Sequence, residues 1–327
     1  MQFLSPVLPV STEIVVCGAG IIGLSLALEL RGRGAEVVVL EQATKRVQGQ
    51  ASWAAAGMLA VEDPHNPEEL REFSRWSRGL YDGYLERIAA LSGKRVSFQT
   101  QRTQQFHAGG VMALEEQSLD PRELMTALES AVERAGVCVV RGFRAAHAQE
   151  SATGVRVVDD AGRAVQAEKL VRAEGAWFAG EPAVKPSKGQ MLRVRLELED
   201  VHRSAGMYVV PRHHGPQAGT ALVGATVEDA GFDAVVDAAT MERQLRLAAE
   251  LVPAVREAEV VETWSGFRPA TESGLPVLGR LERMQRQFVA GGHFRNGILL
   301  APGTAHALSD VLEGKPTPEV IERFLPR

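Results

Sequence analysis

The sequence predicts an α/β protein: a Rossmann-like nucleotide-binding domain made of discontinuous pieces, with an antiparallel-sheet domain inserted into it. Three observations lead there. The chain opens with a β-α-β unit around a glycine-rich turn, carries a run of strand-like segments between residues 189 and 263, and returns to strand, glycine-rich turn and helix near its carboxyl end. Its 327 residues suit two domains or one large one, and the 45% hydrophobic and 24% charged content is that of a folded globular chain rather than a disordered one.

Glu13-Ile-Val-Val-Cys17 is a short apolar run of the kind buried on both faces of a sheet. Gly18-Ala-Gly-Ile-Ile-Gly23 follows, then a helix through Leu24, Leu26, Leu28 and Leu30, and a second strand, Glu36–Leu40, ending at Glu41. A long amphipathic pattern from Pro67 to Leu91 predicts one helix. Asp120 as N-cap, Pro121 at the first helical position and Gly136 beyond the end punctuate another. Val137–Val140 reads as a strand, Gly154–Val165 as a hairpin turning at Asp159–Gly162, and Lys169–Ala173 as a separate short strand. Strands follow at Met191–Leu196, Met207–Val210, Ala221–Thr226 and Val260–Trp264, with a helix at Thr240–Leu251 among them. Gln287–Ala290 and a helix over Ala301–Leu312 close the fold. On this reading the nucleotide-binding domain comprises residues 1–60, 120–185 and 264–327, and the inserted domain residues 61–119 and 186–263.

Composition excludes several functions. Against 41 acidic residues stand 36 lysines and arginines, a net charge of −5 that gives nucleic acid no basic face to bind. Two cysteines, Cys17 and Cys138, supply neither a disulfide framework nor a zinc site, and no metal is expected. The longest uncharged early stretch, Ile14–Leu28, is broken by glycines and falls short of the roughly 20 residues of a membrane span. No basic residue precedes Arg31, so the n-region of a signal peptide is missing and a cytoplasmic location is expected, with no membrane or nucleic-acid partner and with a homo-oligomer left open.

Gly18, Gly20 and Gly23 form G-x-G-x-x-G between a strand and a helix, where they permit the tight turn, the approach of a pyrophosphate and close helix–strand packing. Glu41, 18 residues beyond Gly23, ends the second strand, where a carboxylate accepts from ribose hydroxyls. That acid favours a free ribose over a 2′-phosphate but does not separate NAD from FAD. Gly291, Gly292 and Gly297 lie just before the last helix, in a turn whose N–H groups can face a ligand.

In this order, Gly18–Gly23, Glu41, Ala51-Ser-x-Ala-Ala-Ala-Gly-Met-Leu59, Gly266-Phe-Arg-Pro269 and Gly291-Gly-His-Phe-Arg-Asn-Gly-Ile298 resemble the D-amino-acid oxidase superfamily. The nearest resemblance is to its glycine-oxidising branch of thiamine biosynthesis. It implies non-covalently bound FAD, with contacts at Gly18, Gly20, Ile21, Ile22, Gly23, Glu41, Gln42, Ala51, Ser52, Ala56, Gly57, Met58, Ala145, His293, Phe294, Arg295, Asn296, Gly297, Ile298 and Leu299. It also implies substrate contacts at Arg268, Arg295 and Tyr208, whose guanidinium and phenol groups suit a carboxylate. The implied reaction is oxidative deamination of glycine, sarcosine or a small D-amino acid, with O2 as acceptor and H2O2 as product. The imine either hydrolyses or supplies thiazole synthesis.

No catalytic acid or base is assigned, because the flavin carries the chemistry, and His293 is expected to pack or hydrogen-bond rather than move a proton. Two departures stand out: the stretch from Gly57 to Asp120 is short for the family, and Glu174 occupies a position where relatives carry a small residue. An amine dehydrogenase with a quinone or protein acceptor, and a non-catalytic FAD-binding subunit, remain alternative readings of the same residues.

Overall fold

A computed structural model describes residues 8–45, 49–181 and 183–326. Two eight-stranded sheets dominate the described chain. In the first, Gln287–Gly291, Ala164–Arg172, Ser11–Cys17, Val37–Glu41 and Cys138–Arg141 lie side by side and parallel. Val277–Arg280 adds an antiparallel edge next to Gln287–Gly291. These strands are short and apolar because both faces are covered. Ile14, Val16, Val37 and Val39 pack beneath the helices Ile21–Gly32, Pro121–Arg134 and Gly297–Leu312, while Val15, Cys17, Val38 and Leu40 pack under the hairpin bearing Val155, Val157 and Val165.

The expected hairpin and the expected short strand after it are one element. Ala164–Arg172 pairs with Val155–Asp159 at its beginning and with Gln287–Gly291 at its end, and Ala145–Glu150 adds a further strand to the hairpin. The amphipathic stretch after Pro67 is two helices, Arg71–Gly79 and Tyr81–Ser92, meeting at Leu80. The last helix begins at Gly297, four residues ahead of the expected Ala301, and runs through Pro302. Propensity misplaced that start: Gly297 read as part of the glycine-rich turn, yet the helix begins there and is buried along most of its length.

The second sheet runs in the order Gly49–Gln50, Val260–Ala270, Lys185–Arg195, Thr220–Gly224, Met207–Arg212, Val201–Ser204, Thr103–His107, Gly110–Leu114. It is antiparallel except where Gly49–Gln50 pairs with Val260–Ala270 and Val201–Ser204 pairs with Thr103–His107, both in parallel. Alternation sorts its faces. Met207, Val209 and Val223 pack under the helix Ala238–Leu251, and Met191, Tyr208, Val210 and Trp264 face the other way, toward Ala54 and Ala56.

Two expected domain boundaries need correction. Val260–Ala270 is a single strand of the second sheet, so residues 264–270 do not belong to the first. The helices within residues 61–119 contribute Phe73, Tyr81, Leu85 and Ile88 to the core of the first sheet, while the hairpin Thr103–Leu114 extends the second. None of the described helices is long and apolar enough to cross a membrane.

Candidate active site

A cavity of about 500 Å³ lies where the two sheets meet, in the size range of small-molecule sites. It is lined by the turn at Gly18–Ile22, by Glu41 and Gln42, by residues 50–58, and by Ala145. Residues 172–177, the pair Phe267–Arg268 and the carboxyl-terminal turn from His293 to Ile298 complete the wall. Segments from both ends of the chain therefore share one wall, with Gly297 placed so that a Cβ would touch Ile21 Cγ2 at 4.0 Å.

At one end the geometry is that of a phosphate cradle. Gly18 has φ +106°, and a Cβ there would lie 2.3 Å from Ala173 O; only glycine lets the first strand turn so close to its neighbour. A Cβ on Gly23 would stand 2.0 Å from Gly18 O, so this residue allows the helix to close on the turn and does not itself line the cavity. Gly20 is the N-cap of Ile21–Gly32, with no side-chain cap and no acidic residue in the first turn, which leaves the positive end of the helix facing the cavity. Ile21 N donates to Ser52 Oγ at 3.0 Å, tying residues 51–54 to the same turn. Glu41 accepts from Ala19 N at 2.7 Å and from Ala43 N at 2.9 Å, which fixes its carboxylate at the strand end.

Glu174 lies in this cavity rather than in solvent. Its carboxylate accepts from Arg172 Nε at 2.7 Å, and burial raises its pKa while Arg172 opposes the shift. Cys17, directly before the turn, is buried and its thiol is pushed up by desolvation, so it packs and does not react.

The other end holds the polar side chains expected to meet substrate. Arg268 is half-buried on the strand Val260–Ala270, and its Nη1 donates to Thr226 O at 2.9 Å and to Lys188 O at 3.4 Å. Burial lowers its pKa, and Tyr208 partly offsets that. Tyr208 is buried beside it, with its hydroxyl 3.6 Å from Met191 Sδ, and burial raises its pKa against the pull of Arg268 and Arg295. Arg295 projects from the carboxyl-terminal turn with Nη2 3.8 Å from Asp63 Oδ2. Phe294 takes φ +47°, an unusual value for a side-chain-bearing residue, where this turn crosses to the last helix.

His293 is buried, bonds Thr304 at 2.9 Å through Nε2, and is pushed down to about 3 by desolvation; it is neutral and structural. Leu299 does not reach the cavity: its side chain is in the core, and its carbonyl accepts from Ser77 Oγ at 2.7 Å.

Three residues that line the cavity escaped the sequence reading. Gly189 faces Arg268, Arg172 pairs with Glu174, and Asp63 faces Arg295. Only Asp63 carried a local signal, an acidic residue ahead of Pro64 whose Oδ1 accepts from His65 N in an Asx turn. Among the described residues, no group of three His, Cys, Asp or Glu side chains is placed to hold a metal ion.

Residues 13–106 and 98–311 match the FAD dependent oxidoreductase family. The chain is 30% identical over 360 aligned positions to glycine oxidase of Geobacillus kaustophilus, covering 93% of this chain and 94% of that protein. It is 31% identical to the bifunctional protein ThiO/ThiG of Nostoc sp., over 95% of this chain but 54% of the relative, so it spans about half of that protein. The crystal structure of glycine oxidase from Geobacillus kaustophilus superposes with a TM-score of 0.90 at 27% identity, over 98% of this chain and 99% of the other.

Proposed function

Since the chain belongs to the FAD dependent oxidoreductase family, we propose that it catalyses the oxidative deamination of glycine or another small amine, such as sarcosine or a small D-amino acid. One observation carries this reading: an arginine and a tyrosine suited to a carboxylate lie in the same cavity as the nucleotide cradle.

The residues present fit FAD. A Cβ on Gly18 would lie 2.3 Å from Ala173 O, so the turn admits no side chain there, and its bare backbone lines the cavity. Two helices, Ile21–Gly32 and Gly297–Leu312, point ends without side-chain caps at the cavity. Gly18, Gly20, Ile21 and Ile22 would hold the pyrophosphate, Glu41 and Gln42 the ribose, and residues 51–58 with the turn His293–Ile298 the ring system; Ala145 borders the adenosine end. Gly23 and Leu299 support this set from behind. Bound there, FAD supplies the two-electron acceptor for hydride from the substrate Cα.

The protein's own part is to bind and orient. Arg268 offers the face of its guanidinium not used by Thr226 and Lys188 to one carboxylate, and Tyr208 adds a donor beside it. This fixes Cα at a single distance from the ring site, which is where positioning yields rate. His293 is not available to move a proton, because it is bound to Thr304 and neutral. The amine enters unprotonated, so loss of the Cα hydride leaves an iminium that gives its proton to solvent. The imine then hydrolyses to an oxo acid, releasing ammonia or an alkylamine, or passes to thiazole synthesis.

The purified protein should be yellow. Anaerobic glycine or sarcosine should bleach its visible absorbance, and air should restore it with stoichiometric H2O2; a flavin that no small amine bleaches removes the proposal.

A further inference from the structure

At the substrate end of the cavity the charges sort into pairs. Arg203 and Glu116, both buried behind the wall, stand 2.9 Å apart. Arg295 Nη2 lies 3.8 Å from Asp63 Oδ2. The other oxygen of Asp63 accepts from the backbone N of His65 at 2.9 Å and from its Nδ1 at 3.0 Å, so the carboxylate is oriented with Oδ2 toward Arg295. Burial works against its charged form, but Arg203, the bonds from His65 and Arg295 outweigh that and hold the carboxyl below its ordinary pKa. Arg268 differs: among the described residues it has no carboxylate within ion-pair distance and spends one nitrogen on two backbone carbonyls. Glu228 acts on it only at longer range and is bonded to Gln190 Nε2 at 2.9 Å.

We infer that Asp63 is a specificity-determining residue: it cancels the charge of Arg295, leaves Arg268 unbalanced among the described arginines at this end of the cavity, and so restricts the site to amines with a single carboxylate. The inference rests on the amine-oxidising function proposed above. With Asp63 ionised, the two arginines offer a net charge of one, which one substrate carboxylate satisfies. A second carboxylate would have to lie beside Asp63 or displace it from Arg295, and either costs like-charge repulsion or an ion pair. Without the Asp63 charge, Arg295 would be free to receive that second carboxylate.

The test uses flavin-loaded protein and two unreactive ligands, acetate and malonate, with dissociation constants read from perturbation of the flavin spectrum. Wild type should bind acetate at least as tightly as malonate. Asp63→Asn should shift the ratio of the two constants toward malonate by about tenfold or more, the size expected for one uncompensated charge at a half-buried site. Asp63→Ser, which keeps a short acceptor for His65 N, should shift it likewise. Because both ligands are measured on one preparation, partial loss of folded protein does not imitate the effect. Arg295→Gln should weaken acetate by exposing it to an unpaired Asp63, and adding Asp63→Asn should restore it. A ratio that moves less than about twofold in both Asp63 variants, or a double variant no better than Arg295→Gln, overturns the inference. Glycine turnover is followed alongside. A shifted ratio without turnover sinks the proposed reaction but keeps the charge pairing, whereas turnover with an unmoved ratio sinks the pairing alone.

Discussion

Gly189 stands against the guanidinium of Arg268 across two antiparallel strands, so close that a Cβ on residue 189 would lie 2.4 Å from Nη2 and 2.6 Å from Cζ. The absence of a side chain at 189 is what lets Arg268 lie back on the sheet with its remaining donors open to the cavity. Gly189→Ala should therefore push the guanidinium forward by a fraction of an ångström to an ångström. Misplacement of that order costs on the order of 10²-fold in kcat/KM. Most of the loss should fall on KM for the amine, with FAD content unchanged. Steady-state kinetics and the flavin-to-protein ratio check both halves; a variant with normal KM would show that Arg268 does not anchor the substrate.

Gly57 poses the same question for the cofactor. Its φ is +83°, and a Cβ there would sit 2.1 Å from Leu119 O and 2.8 Å from Pro121 Cδ. Backbone and neighbour both forbid a side chain, so Gly57→Ala must shift the segment that lines the cavity from Ala51 to Met58. A stability loss of roughly 2–4 kcal/mol is expected from strain plus overpacking, together with weaker FAD retention on dialysis. Equal FAD affinity in the variant and wild type would place the cofactor away from this segment.

How far the sequence carried can be judged from these two glycines. Gly57 stood in a recognisable motif and Gly189 did not, because the need for a glycine at 189 arises from a side chain 79 positions away on another strand. The cradle at Gly18–Gly23 was legible for the opposite reason: its strand, turn and helix are consecutive, so local chemistry states the geometry. The same divide explains the errors in the fold. Ala164–Arg172 was split because its partner changes midway, and pairing partners leave no mark on a strand's own residues. The pairing of Asp63 with Arg295 likewise joins distant segments, through a 3.8 Å contact that only the folded chain creates.

His293 gives the protein a pH dependence of predictable sign. Its folded pKa is pushed down to about 3 by burial, against about 6.5 for an unfolded histidine. Between these values the unfolded chain binds a proton that the folded chain refuses, so stability falls as pH drops through that window and is unaffected above it. From pH 6.5 to 5 the loss from this residue is on the order of 1–2 kcal/mol, less than the full slope because the unfolded histidine is already half protonated at pH 6.5. Denaturant unfolding at both pH values with fixed, saturating FAD should show this loss in wild type. His293→Gln, which has no proton to take up, should flatten the slope by that amount; an unchanged slope would mean the imidazole is protonated in the fold.

Arg212 tests how the cavity floor is held. Its side chain is 1% exposed, Nη2 donates to Ala56 O at 2.7 Å, and Nε lies 3.5 Å from the carboxylate of Asp120, which also caps the helix Pro121–Arg134 by accepting from Arg122 N at 2.8 Å. Burial lowers its pKa to about 10, with Asp120 opposing the shift, so it remains a cation at neutral pH. Arg212→Met leaves Ala56 O without this donor and Asp120 as a buried charge without its partner, and removing one member of such a pair typically costs about 3–5 kcal/mol. Since Ala56 lines the cavity, FAD affinity should fall with stability. Adding Asp120→Asn removes the stranded charge while keeping a side-chain oxygen for the helix cap, so the double variant should recover part of the stability but not the FAD affinity, because Ala56 O still lacks its donor. Recovery of both together would show that Arg212 acts only through Asp120 and not by holding the segment that carries Ala56.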